Sequence, residues 1–143
     1  MTDMSDRDEI AELVHRYSDA VCRKDRAQWA DCWCADASWD LGRGRLTDGK
    51  DAIVEFWQTA VDALHVVVQM VHNGTVTIDG DTASGRWYVS EHMERGNGAK
   101  GMLLAWYDDT YRREDGRWRF SSRTLGSLYH GAPDLSGEFT PKP

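Results

Sequence analysis

Three glycine-bearing turns, Asp79-Gly80-Asp81, Gly96-Asn97-Gly98 and Glu114-Asp115-Gly116, cut the second half of this chain into long segments rich in Val, Thr and aromatic residues. Gly, Asn and Asp supply the positive φ angles that tight strand-to-strand turns require. The spacing therefore predicts four strands, His65–Ile78, Thr82–Glu94, Met102–Arg113 and Arg117–Tyr129. Strands joined by connections this short run antiparallel. A meander of such length must bury one face, so the first half of the chain has to supply the cover.

That first half is helical in pattern. Ile10, Leu13, Val14, Tyr17 and Val21 recur at the spacing of one helix face. Asp25-Arg26-Ala27-Gln28 has the form of a capping box, opening a short helix with Trp29, Cys32 and Trp33 at its apolar positions. Ala37–Leu41 reads as a strand and Gly42–Arg45 as a turn. Thr47 or Asp48 is the expected cap of a third helix, whose stripe is Ile53, Phe56, Trp57, Ala60, Val61 and Leu64. The layout is α+β: three N-terminal helices packed against a strongly curved, mostly antiparallel sheet, a cone with a mouth fit for a small molecule. The 143 residues are expected to form one domain, with residues 131–143, which hold all three prolines, as an irregular C-terminal tail.

Composition narrows the function. A net charge of −7 argues against a nucleic-acid partner, which needs a basic face. No apolar run approaches the roughly 20 residues that span a bilayer, and the acidic MTDMSDRDE start lacks an apolar leader core, so a cytoplasmic location is expected. Cys22, Cys32 and Cys34 are expected to be reduced thiols, and no metal site completes around Cys32 and Cys34. Seven tryptophans and five tyrosines stand out; some are expected in the core, and a surplus of Trp suits the lining of an apolar cavity.

The order of Tyr17, Asp25 and Trp29, then Asn73 through Ala83, then Tyr107 to Arg112 followed by Asp115 to Phe120, resembles the SnoaL-like branch of the NTF2-like superfamily over residues 6–130. That group includes scytalone dehydratase, bile-acid dehydratase, hexachlorocyclohexane dehydrochlorinase, polyketide cyclases and ketosteroid isomerase. The resemblance implies a deep apolar cone in which an acid or a His–Asp dyad moves a proton on a hydrophobic cyclic substrate without a cofactor. It implies a lyase or isomerase that dehydrates, cyclises or shifts a double bond. It also implies a homo-oligomer, a dimer or a trimer. An outer sheet face carrying Val66, Val68 and Met70 favours the dimer.

The resemblance places the helix-borne acid at Cys22 and the dyad histidine at Gln69. A thiol is a weak base and Gln does not titrate, so this pair cannot abstract a proton. Asp25 is accounted for by capping. By analogy with the dehydratases, Trp87 and Glu91 lie on the pocket side of their strand. Glu91 is then either a carboxylate inside the cone or a rim residue paired with Arg86 or Arg95. Strand parity puts His65 with Gln69 and His72 on the opposite side, unless a bulge near Asn73-Gly74 reverses the alternation. The expected catalytic set is Glu91 with His65 or His72 as base and Tyr17 or Tyr107 as donor. Cys22, Trp57, Gln69, Trp87, Tyr107, Asp109 and Arg123 are expected around the substrate, with Leu103 as lining and Asp109 paired to Arg123. A carrier or sensor of an apolar metabolite is the competing reading, because the dyad positions hold no titrating pair.

Overall fold

Ser5 opens helix α1 (Asp6–Arg23) by accepting a hydrogen bond from the Asp8 amide at 3.1 Å. Asp6, Asp8 and Glu9 occupy the first turn, where the helix dipole favours negative charge. The structure, a computed structural model, describes residues 4–141. Lys24 ends α1 in the left-handed region at φ 54° and returns its amide to the Ala20 and Val21 carbonyls. Asp25 then caps α2 (Arg26–Asp31) through the Gln28 amide at 3.0 Å. The reciprocal half of a capping box is not made, because the Gln28 amide group turns to the Arg16 carbonyl and to Asp19.

The remaining elements are β1 (Trp33–Asp40), β2 (Leu46–Asp48), α3 (Lys50–Asp62), β3 (Leu64–Asp79), β4 (Thr82–Arg95), β5 (Lys100–Glu114) and β6 (Arg117–Gly131). They form a curved six-stranded sheet in the order β2-β1-β6-β5-β4-β3 with the helices packed on it, an α+β cone. Every neighbouring pair is antiparallel except β1 and β6, which run parallel. No helix among the described residues is long and apolar enough to cross a membrane.

Two local expectations are corrected. Strand β1 begins at Trp33 rather than Ala37, because Trp33 pairs with Phe120 of β6 and an irregularity between Trp33 and Ser38 absorbs the mismatch. Cys32 therefore caps the end of α2, and Trp33 leaves the helix altogether. Neither Thr47 nor Asp48 caps α3. Both belong to β2, where Asp48 accepts a hydrogen bond from the Ser38 hydroxyl at 2.6 Å, and Gly49 occupies the cap at φ 89° with no side-chain bond. The buried stripe of α3 runs through Ile53, Val54, Trp57 and Val61, leaving Phe56 42% exposed.

Aromatic packing fills the space between helices and sheet. Trp29 stacks on Trp57 with ring centres 4.5 Å apart and planes 9° from parallel, and Trp33 and Trp39 meet it edge-on at 5.5 and 5.3 Å. Aromatic pairs in these geometries add to the free energy of their burial.

Strand β3 carries two register shifts, between Leu64 and Val66 and between Val71 and Gly74. Each reverses the alternation of faces. Leu64 thus faces the cone, as do Val67, Gln69 and Val71, and beyond the second shift Val76 and Ile78 do so. Gly74 sits under the indole of Trp87, and a Cβ there would come within 2.4 Å of the ring and 2.6 Å of the Arg86 carbonyl. Gly74→Ala is expected to destabilise the fold by ~1–3 kcal/mol, the usual cost of overpacking. Thermal unfolding followed by circular dichroism will show this as a fall in Tm of several degrees.

Candidate active site

The inner faces of α1, α3 and β3–β6 enclose a cavity of about 970 Å³. Six side chains from six elements set its chemistry: Tyr17 of α1, Trp39 of β1, Trp57 of α3, Gln69 of β3, Glu91 of β4 and Tyr107 of β5. Leu64, Leu103 and Leu125 supply apolar wall.

Glu91 faces inwards because the odd-numbered residues of β4 do, as the buried Ala83, Trp87 and Val89 show. It does not pair with Arg86, which bonds Asp108 of β5 at 2.7 Å on the outer face. Instead Gln69, opposite it in register, donates to the Glu91 carboxylate at 2.9 Å. The Gln69 carbonyl oxygen accepts in turn from the buried hydroxyl of Ser18 at 2.7 Å. The Ser18–Gln69–Glu91 chain fixes the carboxylate's orientation from below while its other oxygen is left to the cavity. Burial pushes the Glu91 carboxyl above its ordinary value, and the hydrogen bond from Gln69 offsets only part of that push.

Tyr17 and Tyr107 also line the cavity, 1% and 4% exposed, their rings edge to face with centres 6.2 Å apart, Tyr107 on the same inner sheet face as Glu91 one strand away. Burial raises the pKa of both, so they stand as neutral donors. Arg123 lies behind them. Its guanidinium carbon sits 3.8 Å from the ring centre of Tyr107, 4.3 Å from that of Phe120 and 4.4 Å from that of Tyr17. It also bonds Asp109 with two nitrogens at 2.7 and 3.1 Å. Tyr111 donates to the same carboxylate at 2.7 Å and accepts from the Trp87 indole at 3.0 Å. Desolvation works against the charge on Arg123, and Asp109 restores it, so Arg123 is held above the usual arginine range.

Several expected residues lie elsewhere. His65 occupies the first register shift of β3 and is exposed away from the cavity. A shift does occur beside Asn73-Gly74, but it leaves His72 on the outer face, bonded to Ser90 at 2.8 Å. Cys22 is exposed, its sulfur against the Gln69 amide at 3.2 Å and carbonyl at 3.4 Å, so the two dyad positions are neighbours without a titrating pair. Trp87, Asp109 and Arg123 are buried as support behind the wall rather than as lining. Ser18 and Trp39 were absent from the sequence expectation. Ser18 shares the α1 stripe, four residues after Val14, and that spacing was the signal for it. Trp39 carried the alternation of β1. Among the described residues no cluster of three His, Cys, Asp or Glu is placed to hold a metal ion.

The raised pKa of Glu91 makes a prediction about stability. Below the ordinary value of 4.5 the carboxyl is protonated in both folded and unfolded chains. As pH rises through the folded-state pKa, ionising the buried group costs stability. Glu91→Gln mimics the neutral acid, so it is expected to match the native protein near pH 4.5 and to exceed it at neutral pH, by urea denaturation at both pH values.

Comparison with known proteins agrees with the geometry. The profile of the SnoaL-like domain family matches residues 2–124. The uncharacterized protein Rv2910c of Mycobacterium tuberculosis is 29% identical over 126 residues, 86% of each chain, as is Mb2934c of Mycobacterium bovis. Among solved structures, hexachlorocyclohexane dehydrochlorinase LinA-type3 from Novosphingobium barchaimii superposes with a TM-score of 0.80 at 21% identity, over 96% of this chain and 94% of that one. The Kfla4162 protein from Kribbella flavida gives 0.80 at 23% identity, over 87% and 92%. With its profile matched over most of its length and its helices and sheet folded into the cone, this chain is a member of the SnoaL-like domain family.

Proposed function

We propose that the chain is a cofactor-independent lyase or isomerase acting on a hydrophobic cyclic carbonyl compound, with Glu91 as general base and Tyr17 and Tyr107 as donors to the carbonyl oxygen. The observation that carries this reading is a buried carboxylate and two buried phenols lining one cavity. Glu91 takes a proton from the carbon beside the carbonyl, and the electrons move to oxygen, where the phenols stabilise the charge. The enolate then collapses in one of two ways. It expels a group on the next carbon, which is elimination, or it accepts the proton at another carbon, which is isomerisation. Gln69 and Ser18 hold Glu91, and Arg123 supports the phenols through their rings and favours charge building on them. That a structural neighbour is a dehydrochlorinase accords with elimination chemistry.

The test is exchange of deuterium from solvent into cyclic ketones, and loss of water from their β-hydroxy derivatives, followed by NMR. Glu91→Gln is expected to lower the rate ~100-fold or more, and Tyr107→Phe by a comparable ~10²–10³. The pH profile should rise through a midpoint above the ordinary 4.5, since only the ionised carboxylate accepts the proton. A rate unaffected by Glu91→Gln would sink the assignment.

One observation favours a second reading, a binding protein for an apolar metabolite: Cys22 and Gln69 meet, with no acid or histidine between them, at the positions where the resemblance implies a dyad. Under it the ketones bind with micromolar affinity and Glu91→Gln changes no exchange rate.

The chain also presents an apolar outer face, with Val66 45% and Met70 52% exposed. We read it as the contact of a homodimer. Sedimentation at roughly tens of micromolar, where contacts of ordinary strength are saturated, should give twice the monomer mass, and Met70→Lys should return it to one.

A further inference from the structure

The mouth of the cavity differs in character from its interior. Arg43, Arg45, His130 and Glu138 line it and are exposed. Arg45 is engaged by its own turn: its guanidinium donates to the carbonyls of Leu41 at 2.7 Å and Gly42 at 3.1 Å, and its backbone bonds the same two residues. Arg43 makes no hydrogen bond and no ion pair with any described residue, whereas most arginines of this acidic chain are paired with carboxylates. Its backbone is also unusual. Arg43 stands at φ 56° between Gly42 at 81° and Gly44 at 76°. A side chain in the left-handed region costs roughly 1 kcal/mol or more where glycine would cost nothing. The neighbouring carboxylates do not claim it: Glu91 is deep and bonded by Gln69, and Glu138 belongs to the tail and makes no ion pair with any described residue.

We propose that Arg43 is the anion-recognition residue of the cavity, and that the ligand is a hydrophobic cyclic molecule whose carboxylate reaches the mouth while its carbonyl lies between Tyr17 and Tyr107. This rests on the reading of the cavity as a ligand site. The turn pinned by Arg45 acts as a pedestal, and the guanidinium of Arg43 offers two parallel N–H groups to a carboxylate. An arginine at this point also counters the negative field of a chain carrying net charge −7, which would otherwise repel an anionic ligand from the entrance. The apolar wall of Leu64, Leu103 and Leu125 takes the ring system between the two polar ends. Substrate choice is thus divided: the inner end selects for a reactive carbonyl, the mouth for a charge.

The experiment compares 2-naphthoate with its neutral isostere 2-naphthamide by titration calorimetry on the intact protein. The native chain is expected to bind the carboxylate about tenfold more tightly, as a charge-assisted bidentate pair allows, with the preference shrinking at high salt. Arg43→Gln should remove the preference and leave 2-naphthamide binding unchanged. Arg43→Gly, which relaxes the backbone, is the second variant and should do the same. Equal binding of the two probes by the native chain overturns the anion site but leaves the cavity as a ligand site. So does a preference that survives both variants and disappears only in His130→Gln. Failure of both probes to bind overturns the ligand-site reading and the proposal with it. Tighter binding of 2-naphthyl phosphate than of 2-naphthoate overturns the assignment of a carboxylate.

Discussion

Everything at the inner end of the cavity depends on one buried ion pair, Arg123 with Asp109. Two charges withdrawn from water are tolerable only if each is neutralised and hydrogen-bonded. Here Asp109 receives Arg123 twice and Tyr111 once, and Tyr111 is itself fixed by Trp87. The rings of Tyr17, Tyr107 and Phe120 close around the guanidinium. The cation thereby places two phenols from different elements in one plane of action. The ion pair is a scaffold for the donors, and its own atoms stay out of the cavity. Loss of Asp109 would leave a bare charge under the very residues that are asked to be neutral.

The Glu91 side of the cavity uses a different device. Gln69 occupies the place where relatives are expected to carry a histidine, and it is not idle there. It holds the Glu91 carboxylate with its nitrogen and Ser18 with its oxygen. An amide that cannot titrate is well suited to this: it orients the carboxylate without competing for its proton.

The sequence displayed the large features because their causes are local. Hairpin turns and the α1 stripe are set by residues a few positions apart, so the four long strands were legible, while the side taken by Glu91 came only from the resemblance, which left cone and rim both open. The failures have non-local causes. Nothing near Trp33 announces that it pairs with Phe120, and nothing near Asp48 announces that Ser38 will take its carboxylate. The register shift of β3 at His65 depends on how that strand meets β4, and it removed His65 from the cavity, while His72 keeps the outer side that plain alternation gives it. Trp87 and Arg123 were visible as inward-facing residues, but depth cannot be read from parity, and both proved to be support. Trp39 and Arg43 were hidden in a hairpin whose approach to the cavity only the tertiary structure sets.

The parallel pairing of β1 with β6 has a consequence for how this molecule is made. Antiparallel neighbours β3 to β6 can zip together as the chain is synthesised, each on the one before. Strand β1 must wait, since its partner is the last strand to appear. Until then Trp29, Trp33 and Trp39 have no completed sheet to rest on, and contacts across such separations close late. Trp29 on α2 and Trp33 and Trp39 on β1 therefore stay without that sheet contact until β6 has been made. Strand β6 also lends Leu125, Ser127 and His130 to the cavity, so loss of that strand opens the pocket while leaving every residue that lines it from the helices intact.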